Sequence, residues 1–325
     1  TYVALIVLGT AFVLPFFWLV STSFKPADRI QKWPPDIVPM INIKQSVNGK
    51  TRAIYYDEKD REVALIERLK GGMANVVPVD SPQSKPVTAN ADKLIPKAHF
   101  GLEWSNYSKG MSFIPFFQQL RNTLIISIIS VFGTILSCSM VAYGLSKIEW
   151  KGRNALFMAL LATMMLPGQV TMIPVFTIFV KLGWIDTFLP LIVPSFLGSA
   201  FFIFLLRQFF LGIPKELSEA AKIDGCSEFD IYSRIIMPLS KPALATVGLF
   251  SFMGAWNDFM GPLIYLMDET KYTLSLGLAM FMGQYGNEYG MLMAVSTVVT
   301  VPIIVIFFFT QKTFIQGMTM SGIKG

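Results

Sequence analysis

Residues Lys215–Pro242 read KELSEAAKIDGCSEFDIYSRIIMPLSKP, a polar and charged island with apolar runs on both sides. Lys215, Glu216, Glu219, Lys222, Asp224, Glu228, Asp230 and Arg234 would each be costly in hydrocarbon, so the island lies outside it, in water or against another protein. Its pattern is two short helices joined by a turn. Pro214 suits the first helical position, where its missing N–H costs nothing, and KELSEAAKI supplies helix formers up to a stop at Asp224-Gly225. Ser227-Glu228-Phe229-Asp230 reads as a capping box that starts the second helix. Phe229, Tyr232 and Ile236 recur at helical spacing, and Pro238 and Pro242 are expected to end it. Ala220 and Ala221 give the first helix a small-residue face for close approach, and Gly225 allows a tight reversal.

The flanks fix the class. Of 325 residues 53% are hydrophobic and only 15% charged, with 28 Phe, which indicates an integral membrane protein rather than a large soluble core. The net charge of +6 is therefore read by location and not as nucleic-acid affinity. Cys138 falls in an apolar run and Cys226 in the island, which offers no disulfide or metal framework. The single His99 has no Cys or His neighbour, so it reads as a loop histidine and not a zinc ligand.

Six runs of about 20 apolar residues are long enough to cross a bilayer. They fall at residues 1–24, 118–143, 155–180, 188–211, 242–267 and 289–312. The first opens at Thr1 without an initiator Met, so a preceding cytoplasmic tail is expected; it lacks a signal-peptide cleavage site and reads as a retained helix. Lys147, Lys151 and Arg153 lie between the second and third spans, and Arg207, Lys215, Lys222, Arg234 and Lys241 flank or fill the island. The opposite short loops carry only Lys181 and Lys271. The positive-inside rule then places the island and both termini in the cytoplasm and residues 25–117 on the outer face.

Glu219-Ala220-Ala221, three residues, Gly225, nine residues, Ile235, two residues and Pro238 resembles the EAA motif of binding-protein-dependent ABC importer permeases. The fuller form, EAAKIDG followed by PLSKPAL, is similar to the MalG-like branch that serves carbohydrates. Met237 stands where that family usually has Leu. The resemblance implies an all-α integral membrane protein of six transmembrane helices in the type I ABC importer permease fold. It implies a bacterial cytoplasmic (inner) membrane location and four partners: a second homologous permease subunit, a cytoplasmic ABC ATPase dimer, an extracytoplasmic solute-binding protein and a carbohydrate. The island would be a coupling helix seated in an ATPase cleft. Glu219 would position it through polar contacts, Ala220 and Ala221 would permit close seating, and Asp224 and Gly225 would form the turn.

The long external segment, 25–117, resembles the family loop at its two ends, KPADRIQKWPPDIVP and PKAHFGLEWSNY. Its middle, about residues 41–95, reads as an inserted, β-rich module. IKQSV-NG-KTRAIYY has two β-prone arms about Asn48-Gly49, a pair favoured in tight hairpins. VALIERL fits a third strand or a short helix, and VPVDSPQSKPVTANADKLIP reads as a proline-punctuated linker. Lys and Arg modestly exceed Asp and Glu here. That excess could favour an anionic ligand or partner, such as an acidic saccharide of the uronate or sulfonated class; a solvated surface is the commoner reason for it.

Three groups inside or beside the membrane are candidates for contact with substrate or partner. Met165-Leu166-Pro167-Gly168-Gln169 and Pro174 interrupt the third span, so Gln169 either faces a pathway or sits at a kink that only shapes packing. Trp256-Asn257-Asp258 lies in the fifth span. Amide and carboxylate groups bond sugar hydroxyls and an indole stacks on a pyranose, but Asp258 could equally sit at the outer interface or pair with a neighbour. Between the fifth and sixth spans, Tyr272 to Leu278 is similar to the family loop that reaches into the sugar-binding protein. Gln284, Tyr285, Asn287 and Glu288 would be its probe, unless the segment is re-entrant. Residues 313–325, TFIQGMTMSGIKG, resemble the family's cytoplasmic tail.

No G-x-x-x-x-G-K-[ST] phosphate loop, nucleophile elbow or HExxH pair occurs in the chain. ATP and Mg are therefore expected on the partner ATPase, with no cofactor in this chain. The rival readings are an ATP-independent secondary transporter or channel, which would need ion-relay groups in its spans, and a membrane scaffold carrying the external module, which leaves the EAA spacing unexplained.

Overall fold

The computed structural model describes residues 2–69, 71–283 and 286–322, with backbone alone at 286–287 and from 312 onward. The helices that matter run α1 (Tyr2–Ser23), α2 (Ser105–Phe113), α3 (Phe116–Ser146), α4 (Arg153–Thr163), α5 (Gly168–Lys181), α6 (Ala200–Leu211), α7 (Lys215–Ile223), α8 (Lys241–Trp256), α9 (Met260–Tyr265), α10 (Leu274–Ala279) and α11 (Tyr289–Gly322). Four stretches have the length and apolarity to cross a membrane: α1, α3, the helical run Leu189–Leu211 that ends in α6, and α11 through Gln311. Two bent pairs, each counted as one span, bring the number to six. α4 and α5 meet at 97°, and Glu228–Leu239 meets α8 at 79°. The chain is thus an all-α membrane protein with a β-rich insertion after its first span.

Two expected spans are broken. The third breaks at Met164–Pro167, where Pro167 sits extended before α5 and supplies no N–H to continue α4. The fifth, expected over 242–267, stops at Trp256 and restarts as α9. Backbone helix continues from the last span through residue 313 to Gly322.

Two compact units make up the chain: residues 1–113 with 281–297, and residues 114–280 with 298–325. In the first unit α1 is exposed along its apolar length, as a lipid-facing helix must be. Its C-terminal carbonyls are capped by a side chain far away in sequence. Asn106, in α2, donates from Nδ2 to Ser23 O at 2.8 Å and to Lys25 O at 2.9 Å. The Ser23 hydroxyl also bonds the Tyr107 hydroxyl at 2.8 Å.

The insertion enters and leaves through one ribbon. β1 (Met40–Asn42) pairs antiparallel with β8 (Ala98–Phe100), Asn42 opposite Ala98. Arg29, almost fully buried, donates to Asn42 Oδ1 at 2.9 Å and pairs with Asp36 at 2.9 Å, which anchors the ribbon. Beyond it stand β2 (Lys44–Val47), β3 (Lys50–Tyr56), β4 (Glu62–Arg68), β5 (Met73–Pro78) and β6 (Val87–Asn90) in one antiparallel meander, with β7 (Ile95–Pro96) on β3. Asn48 and Gly49 turn the first hairpin at φ +53° and +70°, the left-handed pair a two-residue turn requires. VALIERL is a strand, β4. The proline-punctuated run is not a linker: it supplies the end of β5, all of β6 and β7, with Pro78 and Pro96 last in their strands, where a missing N–H is tolerated. Val47, Ile54 and Ala64 form one small core and Val63, Ala74 and Val76 another.

In the second unit α3 is the central post, packed on α8, α6 and the turn of 3-10 helix Val193–Leu197. Lipid is as apolar as Leu, so this association rests on close packing. Gly133 shows how close: a β-carbon there would stand 2.5 Å from the Ser195 hydroxyl and 2.6 Å from the Phe196 ring. Leu206, Phe210, Ile231, Ile236 and Val247 are fully buried in one core that extends from the spans into the island.

Candidate functional site

The island folds as two short helices about a left-handed turn. Pro214 occupies the N-cap place of α7 in extended geometry, one residue before the position expected. Gly225 adopts φ +80°, a region in which an L side chain is strained. The Asp224 N–H donates to Ala220 O at 3.0 Å and the Cys226 N–H to Ala221 O at 2.9 Å, which closes the end of α7. The capping box forms as expected: the Ser227 hydroxyl accepts from the Asp230 N–H at 3.2 Å, and the Asp230 carboxylate accepts from the Ser227 N–H at 3.3 Å.

Ile231–Ile236 then opens into a π-helix, a rare, wider turn found frequently at functional sites. Pro238 and Pro242 do not end the helical path. Each lies in the first turn of a new segment, where no N–H partner is needed, and the path bends at Ser240 instead.

α7 has an inner and an outer face. Ala221 is buried in the same core as Leu145, Phe210, Ile213 and Ile231, so it seats α7 on its own chain. Glu219, Ala220, Asp224 and Gly225 are exposed. Leu217, Phe229 and Ile223 are 42%, 68% and 88% exposed, which leaves three large apolar side chains open on a loop otherwise dressed in charge.

Polar ties hold the island to the ends of the spans. Lys222 Nζ pairs with Glu228 Oε1 at 2.7 Å, and the Tyr143 hydroxyl of α3 donates to Glu228 Oε2 at 2.6 Å. One turn away on α3 the Ser139 hydroxyl bonds the Tyr232 hydroxyl at 2.7 Å. Lys147 Nζ donates to Ile213 O at 2.6 Å and Arg207 Nε to Leu145 O at 3.0 Å. Donation to Glu228 raises the Lys222 ammonium above its ordinary value, whereas burial lowers that of Lys147. Sequence reasoning missed Tyr143, because nothing local marks a tyrosine at the end of an apolar run as the partner of a glutamate 85 residues on.

The span-five group is a helix break with its own hydrogen bonds. Trp256 is buried and stacks on Phe252 with ring centroids 5.3 Å apart. Asn257 is exposed and donates back to Met253 O at 2.8 Å. Asp258 accepts the Gly261 N–H at 3.0 Å, which caps α9, and its carbonyl accepts from the Ser275 hydroxyl at 2.5 Å. Gln169 is exposed in the first turn of α5, with no hydrogen bond to Trp256, Asn257 or Asp258.

On the loops facing away from the island, Asp186 is a hub that the sequence did not announce. It sits at φ +58°, its Oδ1 accepts the N–H groups of Met267 and Asp268, both at 3.0 Å, and Lys271 Nζ reaches Oδ2 at 2.6 Å. Donation from Lys271, then from Asp268 and Met267, holds its carboxyl down at about 2. In the loop before α11, Gln284 and Tyr285 lie outside the described residues. Asn287 pairs through its backbone with Met282, and Glu288 is exposed, its N–H donating to Phe281 O at 3.1 Å.

Residues 129–320 match the model of a family described as binding-protein-dependent transport system inner membrane component. The chain is 40% identical over 204 residues to the arabinooligosaccharides transport system permease protein AraQ of Halalkalibacterium halodurans, covering 63% of this chain and 73% of that one. It is 36% identical over 225 residues to the polygalacturonan/rhamnogalacturonan transport system permease protein YtcP of Bacillus subtilis, covering 63% and 78%. It is 34% identical over 209 residues to the trehalose/maltose transport system permease protein MalG of Thermococcus litoralis, covering 63% and 75%. Among solved structures, a chain of a bacterial ABC transporter involved in the import of the acidic polysaccharide alginate superposes with a TM-score of 0.69 at 20% identity, over 96% of this chain and 94% of that one; it shares the fold, insertion included. The family match takes in the island, both broken spans and the whole of α11 up to residue 320, and on that ground the chain belongs to the binding-protein-dependent transport system inner membrane components.

Proposed function

We propose that this chain is a membrane permease subunit of an ATP-driven importer for oligosaccharides. The observation that carries the reading is α7: a short helix between two apolar spans, seated on its own core by Ala221 and open outward at Leu217 and Ile223. Such a surface suits a cleft in a cytoplasmic ATPase, with Glu219, Ala220, Asp224 and Gly225 at the contact and Ala221 behind them. ATP and Mg belong to that ATPase. A second, homologous permease subunit completes the pathway and an extracytoplasmic binding protein delivers the sugar.

In this reading residues 1–24 are the first span, and 25–117 form the outer segment with its module at about 41–95. Residues 118–312 are the permease core with the coupling loop at 212–241, residues 313–325 the cytoplasmic end, and both termini are cytoplasmic. Gln169, Trp256, Asn257 and Asp258 border the pathway, and Gln284, Tyr285, Asn287 and Glu288 approach the binding protein. The substrate class is oligosaccharide, by likeness to AraQ, YtcP and MalG. The acidic members of that class are favoured by the basic excess of the insertion and by the polygalacturonan/rhamnogalacturonan transport named for YtcP.

The test is purification of the chain from native membranes in mild detergent, with its companions identified by mass. A second permease and an ATPase are expected, and the ATPase is lost when residues 219–225 become a Gly-Ser linker. Recovery of the chain alone would turn the reading toward an ATP-independent carrier. Vesicle uptake of trigalacturonate against arabinotriose then decides the charge of the substrate.

A further inference from the structure

We infer that Glu228 is the joint through which the coupling helix moves the spans, with Lys222 on one side of it and Tyr143 on the other. The inference rests on the reading of α7 as the part that docks on the ATPase.

The geometry is a three-member chain. Lys222 is the only one of the three on the docking helix; its ammonium meets Glu228 Oε1 at 2.7 Å. Glu228 stands in the first turn of the second island helix, fixed there by the Ser227 capping box. Its other oxygen takes the Tyr143 hydroxyl at 2.6 Å. Tyr143 is buried near the end of α3, the post on which α6 and α8 pack. One carboxylate therefore bonds the docking helix with one oxygen and the central span with the other.

The backbone offers a softer link between α7 and the second island helix. It passes through Gly225 in a left-handed turn with open space where a β-carbon would stand, and then through the exposed Ser227. A displacement applied to α7 can be taken up there unless a side-chain tie carries it across. The Ser139–Tyr232 bond and the Tyr143–Tyr232 ring contact at 5.4 Å clamp the second helix to α3 but do not reach α7. The core seat of Ala221 resists pulling α7 outward but has no directional hold against sliding. The charge-assisted bonds of Glu228 are directional, and a carboxylate shared between an ammonium and a phenol keeps both in register.

The experiment is hydrogen exchange on the assembled complex in nanodiscs, with Mg and the non-hydrolysable nucleotide AMP-PNP as the probe, so that no sugar need be known. Peptides covering 215–226 report docking and peptides covering 139–147 report transmission. In the unmodified complex nucleotide slows exchange in both. In Glu228→Gln and Tyr143→Phe the 215–226 response persists while the 139–147 response falls at least threefold. Lys222→Glu alone does the same, and the exchanged pair Lys222→Glu with Glu228→Lys recovers it, since the Tyr143 hydroxyl can accept from an ammonium. A full 139–147 response in Glu228→Gln and Tyr143→Phe overturns the proposal. So does a joint fall of both responses that the exchanged pair does not recover, which would make Glu228 a support of the loop fold. If the unmodified complex retains no ATPase, it is the importer reading that fails.

Discussion

Lys271 Nζ lies 2.6 Å from Asp186 Oδ2, and the two residues come from different loops, one before the fourth span and one after α9. The same carboxylate takes two backbone N–H groups of the second loop on its other oxygen. A single aspartate therefore sets the spacing of the two loops.

This tie is insensitive to pH across the neutral range. The Asp186 carboxyl is depressed to about 2, so its contribution is fully present above the ordinary carboxylate value of 3.8 and is lost only as pH falls through 2. Hydrogen exchange of residues 266–272, corrected for the intrinsic rate, is expected to be flat from about pH 5 to 8. Asp186→Ala removes every side-chain acceptor and speeds exchange there several-fold; Asp186→Asn, which keeps an acceptor and tolerates the left-handed backbone, has the smaller effect. Equal behaviour of Ala and Asn would show that the side chain is not the tie.

Gly225→Pro conflicts with the backbone itself, since proline fixes φ near −65° and this residue sits at +80°. The turn after α7 cannot form, while the spans are untouched. Normal membrane yield with loss of the co-purifying ATPase is the expected result. A bulky residue at the exposed Ala220 is expected to act in the same way by blocking the seat. Undiminished sugar uptake by both variants would count against the docking role of α7.

Gly133→Leu drives a side chain into Ser195 and Phe196. Overpacking of this kind costs about 1–3 kcal/mol. A lower melting temperature in nanodiscs is predicted, with Gly133→Ala intermediate, and no change in either variant would mean that α3 can shift away from the Val193–Leu197 turn.

Asn106→Ala leaves the Ser23 and Lys25 carbonyls without their side-chain donor in a buried place. The cost of an unsatisfied buried group, about 1–3 kcal/mol, is expected to appear as faster exchange at the α1 C-terminus and a lower melting point. Asn106→Asp, which offers no donor, should be at least as harmful.

Replacement of residues 43–97 by Asn-Gly should leave the permease assembled. Asn42 and Ala98 face each other in the β1–β8 ribbon, so a two-residue turn closes the gap as an ordinary hairpin. Co-purification of the partners with the shortened chain is the measurement. Any change in uptake of trigalacturonate relative to arabinotriose would assign the module a part in substrate choice.

Local chemistry was legible and distant pairing was not. The Asn48-Gly49 hairpin, the Ser227 capping box, the Gly225 reversal and the Pro167 break all depend on residues within a few positions of one another, and the sequence carries them openly. β6 and β7 look like linker in the sequence because their strand character exists only through partners on β5 and β3. Asp258 drew notice as a carboxylate in an apolar run, but the Gly261 N–H that it caps is visible only once the helix has broken. The Tyr143–Glu228 and Asp186–Lys271 pairs span 85 residues each, and no pattern in a single sequence joins them.

The π-helix at Ile231–Ile236 gives the island slack in its length. A π turn holds an extra residue over the rise of an α turn, and each α-helical residue advances the helix by about 100°. Removal of one residue from this segment would let it tighten to α geometry without stretching the chain, and the helical segments on either side would stay in phase. The segment can therefore hold or lose one residue while the helices it joins keep their mutual orientation, much as a buckle takes up slack in a strap.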